Sequence, residues 1–133
     1  MNAPTSHDHL VPVVAQRDIP PAFVEALTSR FAANCSTAQV IREQHGRDES
    51  AFTAVPPPVA VVFAESTQDV ADAVALAAKY KVPVIPFGFG SSLEGHLLAV
   101  QGGISIDVSR MNKVLSINAD DLTVTVQAGV TKR

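Results

Sequence analysis

The sequence predicts an α+β chain: helices first, then a strand–helix–strand unit, then further strands. Three observations predict it. Phe23, Leu27 and Phe31 recur every fourth residue, the spacing of one helical face. Two short apolar runs, Val59–Phe63 and Val82–Pro86, bracket a capped, alanine-rich helical stretch. Beyond them, Leu122, Val124 and Val126 alternate with polar residues, as a strand does.

In chain order, residues 1–17 read as an irregular tail. His7-Asp8-His9 offers metal-ligand chemistry, but nothing nearby completes a set, so a solvated tail is expected. Pro20-Pro21 suits a helix start, and the first helix follows. A shorter helix is expected over 37–44, with Val40 and Ile41 facing inward, and His45–Glu49 as its end and a polar loop. Pro56-Pro57-Pro58 excludes helix and marks a boundary between a helical arm, 18–55, and a compact unit, 56–133.

Val59–Phe63 is continuously apolar, which suits a strand covered on both faces. Ser66, with Asp69 three residues on, resembles a capping box. The helix then runs to about Tyr80, with Val70, Ala73, Val74, Ala77 and Ala78 as the buried stripe. Val82–Pro86 closes a strand–helix–strand unit. Gly102-Gly103 predicts a turn and Ile104–Asp107 a strand. Val114–Ile117 and Leu122–Gln127 flank a four-residue hairpin connection, and the second strand should be half buried.

Composition narrows the function classes. With 47% hydrophobic residues, an ordinary core is expected. A net charge of −3, with both signs interspersed, argues against nucleic acid. No stretch approaches the roughly 20 apolar residues that cross a bilayer, and the N-terminus lacks the pattern of a secretory signal. Cys35 is the single cysteine, read as an inert thiol in a reducing setting.

The stretch that carries chemistry is Pro86-Phe87-Gly88-Phe89-Gly90-Ser91-Ser92-Leu93-Glu94-Gly95-His96. Glycine lets another molecule approach the main chain, and successive N–H groups in such a turn can hold an anion. Ser91 and Ser92 add hydroxyls, and no lysine or arginine is present. A P-loop requires Gly-Lys-Ser/Thr, which is missing. A dinucleotide fingerprint requires a third glycine where Leu93 stands, and a helix where only His96–Gln101 remains. Asp107 falls near the place of a ribose-binding acid, which is read as coincidence. A loop wrapping a dinucleotide without a following helix remains, beside a bare glycine turn that binds nothing.

The stretch Val84–His96 resembles the pyrophosphate loop of the vanillyl-alcohol oxidase/p-cresol methylhydroxylase type of FAD-binding domain. Val62–Thr67, Ser109–Val114 and Val126–Val130 fit the same pattern in the same order. Together they are most similar to the cytochrome-type D-lactate dehydrogenase and glycolate oxidase flavoprotein subgroup. The resemblance implies the first subdomain of a two-subdomain FAD-binding fold. It places the pyrophosphate on the amides of Gly88, Phe89, Gly90, Ser91 and Ser92, after Pro86 and Phe87, with Gly95 and His96 completing the turn. Gly129 and Val130 match a later turn that also approaches the cofactor.

Some relatives attach flavin through a histidine where Ser91 stands, so non-covalent FAD is expected. His96 is read as a loop-fixing residue. Phe89 departs from the small residue often found there, harmlessly if its side chain points away from the phosphates. The implied parent reaction oxidises a D-2-hydroxy acid and passes electrons to a separate acceptor, on the cytoplasmic side or at the inner face of a membrane. The substrate groups and any metal would lie in later parts, so the segment alone is expected to be inactive and to self-associate through exposed apolar surface. The alternatives are an alkyl-glycerone-phosphate-synthase-like flavoprotein and a non-catalytic nucleotide-binding remnant.

Overall fold

The computed structural model describes residues 15–50 and 55–132; the His7-Asp8-His9 reading lies outside them. Helix α1, Pro21–Phe31, starts with proline in its first turn and buries Phe23, Leu27 and Phe31. A 3-10 turn at Ala32–Asn34 leads to a two-residue strand, β1, Cys35–Ser36. Helix α2 follows, Gln39–Gln44. The parallel unit comprises β2, Ala60–Phe63; α3, Thr67–Tyr80; β3, Val84–Phe87; and β4, Ile104–Asp107. The last strands, β5 (Val114–Asn118) and β6 (Thr123–Val126), form a separate antiparallel hairpin.

The main sheet has the order β1-β2-β4-β3. β4 is parallel to both neighbours, and β1 is antiparallel to β2. The strand–helix–strand unit is therefore present, but β4 enters between its two strands. β3 reaches its parallel neighbour β4 through residues 88–103, a crossover of sufficient length with no α-helix in it. Pro86 is tolerated because β3 is an edge strand.

One sheet face is the core. Ala60, Val62, Ile104 and Ile106 pack with Phe23, Leu27 and Phe31 of α1 and Ala73 and Ala77 of α3. The helical segment before the prolines thus shares the core of the strands after them. Arg30 of α1 is paired with Asp72 of α3, and with Asp69 at 3.6 Å. Ser66 caps α3 by accepting the Asp69 amide at 3.1 Å, and the Asp69 carboxylate reaches back to accept the amide of Glu65, one residue before the cap, at 3.1 Å, a variant of the reciprocal box.

Three expectations need correction. The α3 stripe runs through Val70, Ala73, Ala77 and Tyr80, with Leu76 at its margin; Val74 and Ala78 are exposed. The sheet contact is narrower than the alanine pattern suggested. Val40 is exposed as well, because α2 turns only its Ile41 side inward. Every residue of β5 and β6 is exposed, so the alternation of β6 does not correspond to a buried face among the described residues.

Candidate functional site

The last residues of three parallel strands stand side by side. Phe63 of β2 and Phe87 of β3 each pair with Asp107 of β4. Alternation turns these three side chains to the face opposite α1 and α3. His45, at the end of α2, sits against all three. Its ring centroid is 4.2 Å from that of Phe87 and 5.6 Å from that of Phe63, and its Nε2 is 2.8 Å from Asp107 Oδ2.

His45 Nδ1 also lies 2.8 Å from the Ile41 carbonyl oxygen. A carbonyl and a carboxylate only accept, so the two contacts are both hydrogen bonds when each ring nitrogen carries hydrogen, and the geometry favours the imidazolium. Burial lowers the His45 pKa, but the Asp107 hydrogen bond, the Ile41 carbonyl and the Asp107 charge outweigh it and raise it above the ordinary value. Burial likewise raises the Asp107 pKa. The bond from His45 and those from the Ser109 hydroxyl and amide reverse this, holding the carboxyl below its ordinary range. The Ser109 amide donates to Asp107 Oδ1 at 2.7 Å.

The glycine-serine loop leaves β3 directly above this pair. Gly90 and Gly95 have φ of 81° and 77°, the left-handed region that favours glycine. A β-carbon at Gly90 would also stand 3.0 Å from Phe87 Cζ, whereas one at Gly88 would meet open space. Among the described residues, the amides of Gly88, Phe89, Gly90, Ser91 and Ser92 donate to no carbonyl or side chain. Phe89 is 80% exposed, so its ring does not fill the loop. The Ser92 hydroxyl is 3.2 Å from His96 Nδ1, a contact within the loop.

A second anchor comes from the segment after His45. The Glu49 amide donates to the Ser92 carbonyl at 2.9 Å. Burial raises the pKa of Asp48, but the Ser50 hydroxyl and amide, then the Ser92 hydroxyl and Leu97 amide, hold it below its ordinary value. A cavity of about 340 Å³ opens beside this segment, between Glu43, Arg47, Asp48 and Leu98; none of the loop residues from Gly88 to His96 line it.

Gly129 and Val130 issue from the same end of the sheet. The Gly129 amide donates to the Met111 carbonyl at 2.8 Å, and a β-carbon there would lie 2.1 Å from the Val108 oxygen. Close packing on the turn after β4 is thus reason enough for a glycine at 129. The Val130 amide bonds the Gln127 carbonyl at 3.1 Å. Cys35 is partly buried, and burial raises its thiol pKa. No group of three or more metal-ligating side chains occurs among the described residues.

Sequence reasoning found the loop and missed the support beneath it. In the sequence His45 reads as the end of a helix and Asp107 as a strand residue. They stand 62 positions apart, and only the topology brings them together.

At the carboxyl end of a mixed sheet in an α+β domain stands a glycine-serine loop whose amides have no partner among the described residues. The family model described as "FAD binding domain" matches residues 58–133. The chain belongs to this FAD-binding family, of the p-cresol methylhydroxylase type. It is 39% identical over 117 residues to a probable mitochondrial D-lactate dehydrogenase of Danio rerio, covering 84% of this chain and 23% of the relative. It is 34% identical over 115 residues to a mitochondrial cytochrome D-lactate dehydrogenase of Arabidopsis thaliana, covering 86% and 20%.

Among solved structures, an alkyldihydroxyacetonephosphate synthase superposes with a TM-score of 0.73 at 30% identity, covering 91% of this chain and 26% of that one. A p-cresol methylhydroxylase superposes at 0.68 and 21% identity, covering 89% and 24%, which speaks for the fold. The chain spans about a fifth to a quarter of the length of these proteins. No described helix is long and apolar enough to cross a membrane.

Proposed function

We propose that this chain supplies the pyrophosphate-holding part of the FAD site in an enzyme that oxidises a D-2-hydroxy acid of the D-lactate or glycolate kind. The observation that carries this reading is the run of five amides from Gly88 to Ser92 that have no partner among the described residues, in a family whose model is that of an FAD binding domain. Backbone dipoles and the Ser91 and Ser92 hydroxyls would hold the diphosphate without a cationic side chain in the loop. Gly88 leaves its face open to a ligand, and Pro86, Phe87, Gly95 and His96 shape the two ends of the turn. Gly129 and Val130 would approach the cofactor from the turn behind β4. FAD supplies the redox chemistry of the site by accepting a hydride.

This chain's part is to bind and orient. The substrate-binding groups and the electron acceptor belong to the whole protein, and the piece alone is inactive. A serine at position 91 offers no nitrogen for a covalent flavin link, so the cofactor is bound non-covalently. A location in the cytoplasm, or at the inner face of a membrane, completes the reading. A second reading, a flavoprotein transferase without net oxidation, is favoured by the synthase likeness at 30% identity.

The test is spectroscopic. The purified full-length protein should be yellow, with absorbance near ~450 nm. Anaerobic D-lactate or glycolate should bleach that colour. A yellow protein that neither acid bleaches would favour the transferase, and a colourless one that takes up no added FAD would overturn the flavin reading.

A further inference from the structure

We propose that His45 is a positioning residue for the FAD loop: its contacts with Asp107 and Phe87 fix the base of the loop and so hold the Gly88–Ser92 amides in their ligand-ready arrangement. The inference rests on the FAD reading above and adds to it a residue outside the loop and a condition on binding.

The contacts form a chain. The His45 ring is fastened at both nitrogens, to Asp107 Oδ2 and the Ile41 oxygen, each at 2.8 Å. Its face lies 4.2 Å from the Phe87 ring, centroid to centroid. The Phe87 ring in turn fills the space a side chain at Gly90 would need, with Cζ 3.0 Å from that position. Phe87 is the last strand residue before the loop, so a shift of its ring reaches the left-handed Gly90 directly. Four residues beyond His45, the Glu49 amide bonds the Ser92 carbonyl at 2.9 Å, which ties the far side of the loop to the same segment. The two tethers bracket the five unpaired amides.

Among the described residues, the groups facing His45 are few. Asp107 from β4 is the charged one; Phe63 from β2 and Phe87 from β3 present rings, and α2 presents the Ile41 carbonyl. A neutral imidazole donates from one nitrogen only, so loss of the proton breaks one of the two fastenings. The ring is then free to tilt against Phe87. FAD affinity should therefore fall as pH rises through the His45 titration.

The experiment measures FAD affinity by flavin fluorescence quenching across pH in the full protein, stripped of cofactor, while NMR follows the His45 ring protons. The expected result is a fall in affinity whose midpoint coincides with the His45 titration. His45→Gln, which can donate from a single nitrogen and carries no charge, should bind FAD about tenfold more weakly at low pH and lose the pH dependence. Circular dichroism checks its fold. FAD affinity that stays flat through the His45 titration of the wild-type protein would overturn the inference while leaving the FAD reading intact, and this holds even if His45→Gln does not fold. Wild-type affinity in a folded His45→Gln would overturn it equally. Absence of FAD binding at every pH would overturn both readings.

Discussion

Gly103 and Pro83 touch backbone to backbone: a β-carbon on Gly103 would stand 2.3 Å from the Pro83 carbonyl oxygen. The same oxygen accepts the Ile104 amide at 3.0 Å, which begins the β3–β4 ladder. Gly103 also has a φ of 116°, where side chains are strained. Gly103→Ala should therefore cost roughly 2–4 kcal/mol of stability, through both the clash and the backbone strain. A denaturant midpoint equal to that of the wild type would refute this.

The loop glycines should separate folding from binding. Gly88→Ala meets open space, so its thermal midpoint should stay near the wild-type value while FAD affinity drops, because the methyl occupies the ligand's side. Gly90→Glu combines a positive φ with a carboxylate beside the diphosphate and should abolish FAD binding. Titration calorimetry with FAD checks both; unchanged affinity in Gly90→Glu would remove the loop from the site.

The buried pair gives stability a defined pH window. Asp107 titrates below its ordinary 3.8, so its contribution is present above that value and is lost as pH falls through the depressed pKa. His45 titrates above its ordinary 6.5, so its contribution is full below that value and is lost as pH rises through the raised pKa. Both contributions coincide between these two ordinary values. Urea midpoints against pH should show a plateau there that flattens out in the double variant His45→Gln/Asp107→Asn.

Ser66→Ala removes the acceptor of the Asp69 amide and should cost about 1 kcal/mol, as loss of an N-cap does. Ser66→Asp should restore most of it. Chemical denaturation of both variants is the measurement, and an Ala variant as stable as the wild type would show the cap to be dispensable.

With Ser91 where a flavin-linking histidine would stand, acid precipitation should leave all the flavin in the supernatant. Yellow colour remaining in the washed pellet would contradict non-covalent binding.

Local signals in the sequence were legible where one residue type has one physical use. The Phe23–Leu27–Phe31 spacing and the Ser66–Asp69 box specified two helices because periodicity and capping act within a few residues. The loop was legible because its glycines answer to backbone angles. The place of β4 between β2 and β3 was not, since three short apolar strands carry no mark of which neighbours which. The two-residue β1 is too brief to show alternation. Val74 looked buried only because α3 was assigned a broader contact face than it makes. The His45–Asp107 pair depended on topology and so had no local signal at all.

The helix-free crossover has a kinetic side. β2 and β3 do not pair with each other; each waits for β4, which the chain supplies last of the four. The sheet cannot close until residues 88–103 have been threaded from one edge to its middle, and that closure comes with an entropic delay. Substitutions that stiffen or lengthen this segment should thus slow refolding even where the finished protein tolerates them. The residues proposed to hold the cofactor also set the pace at which the sheet closes.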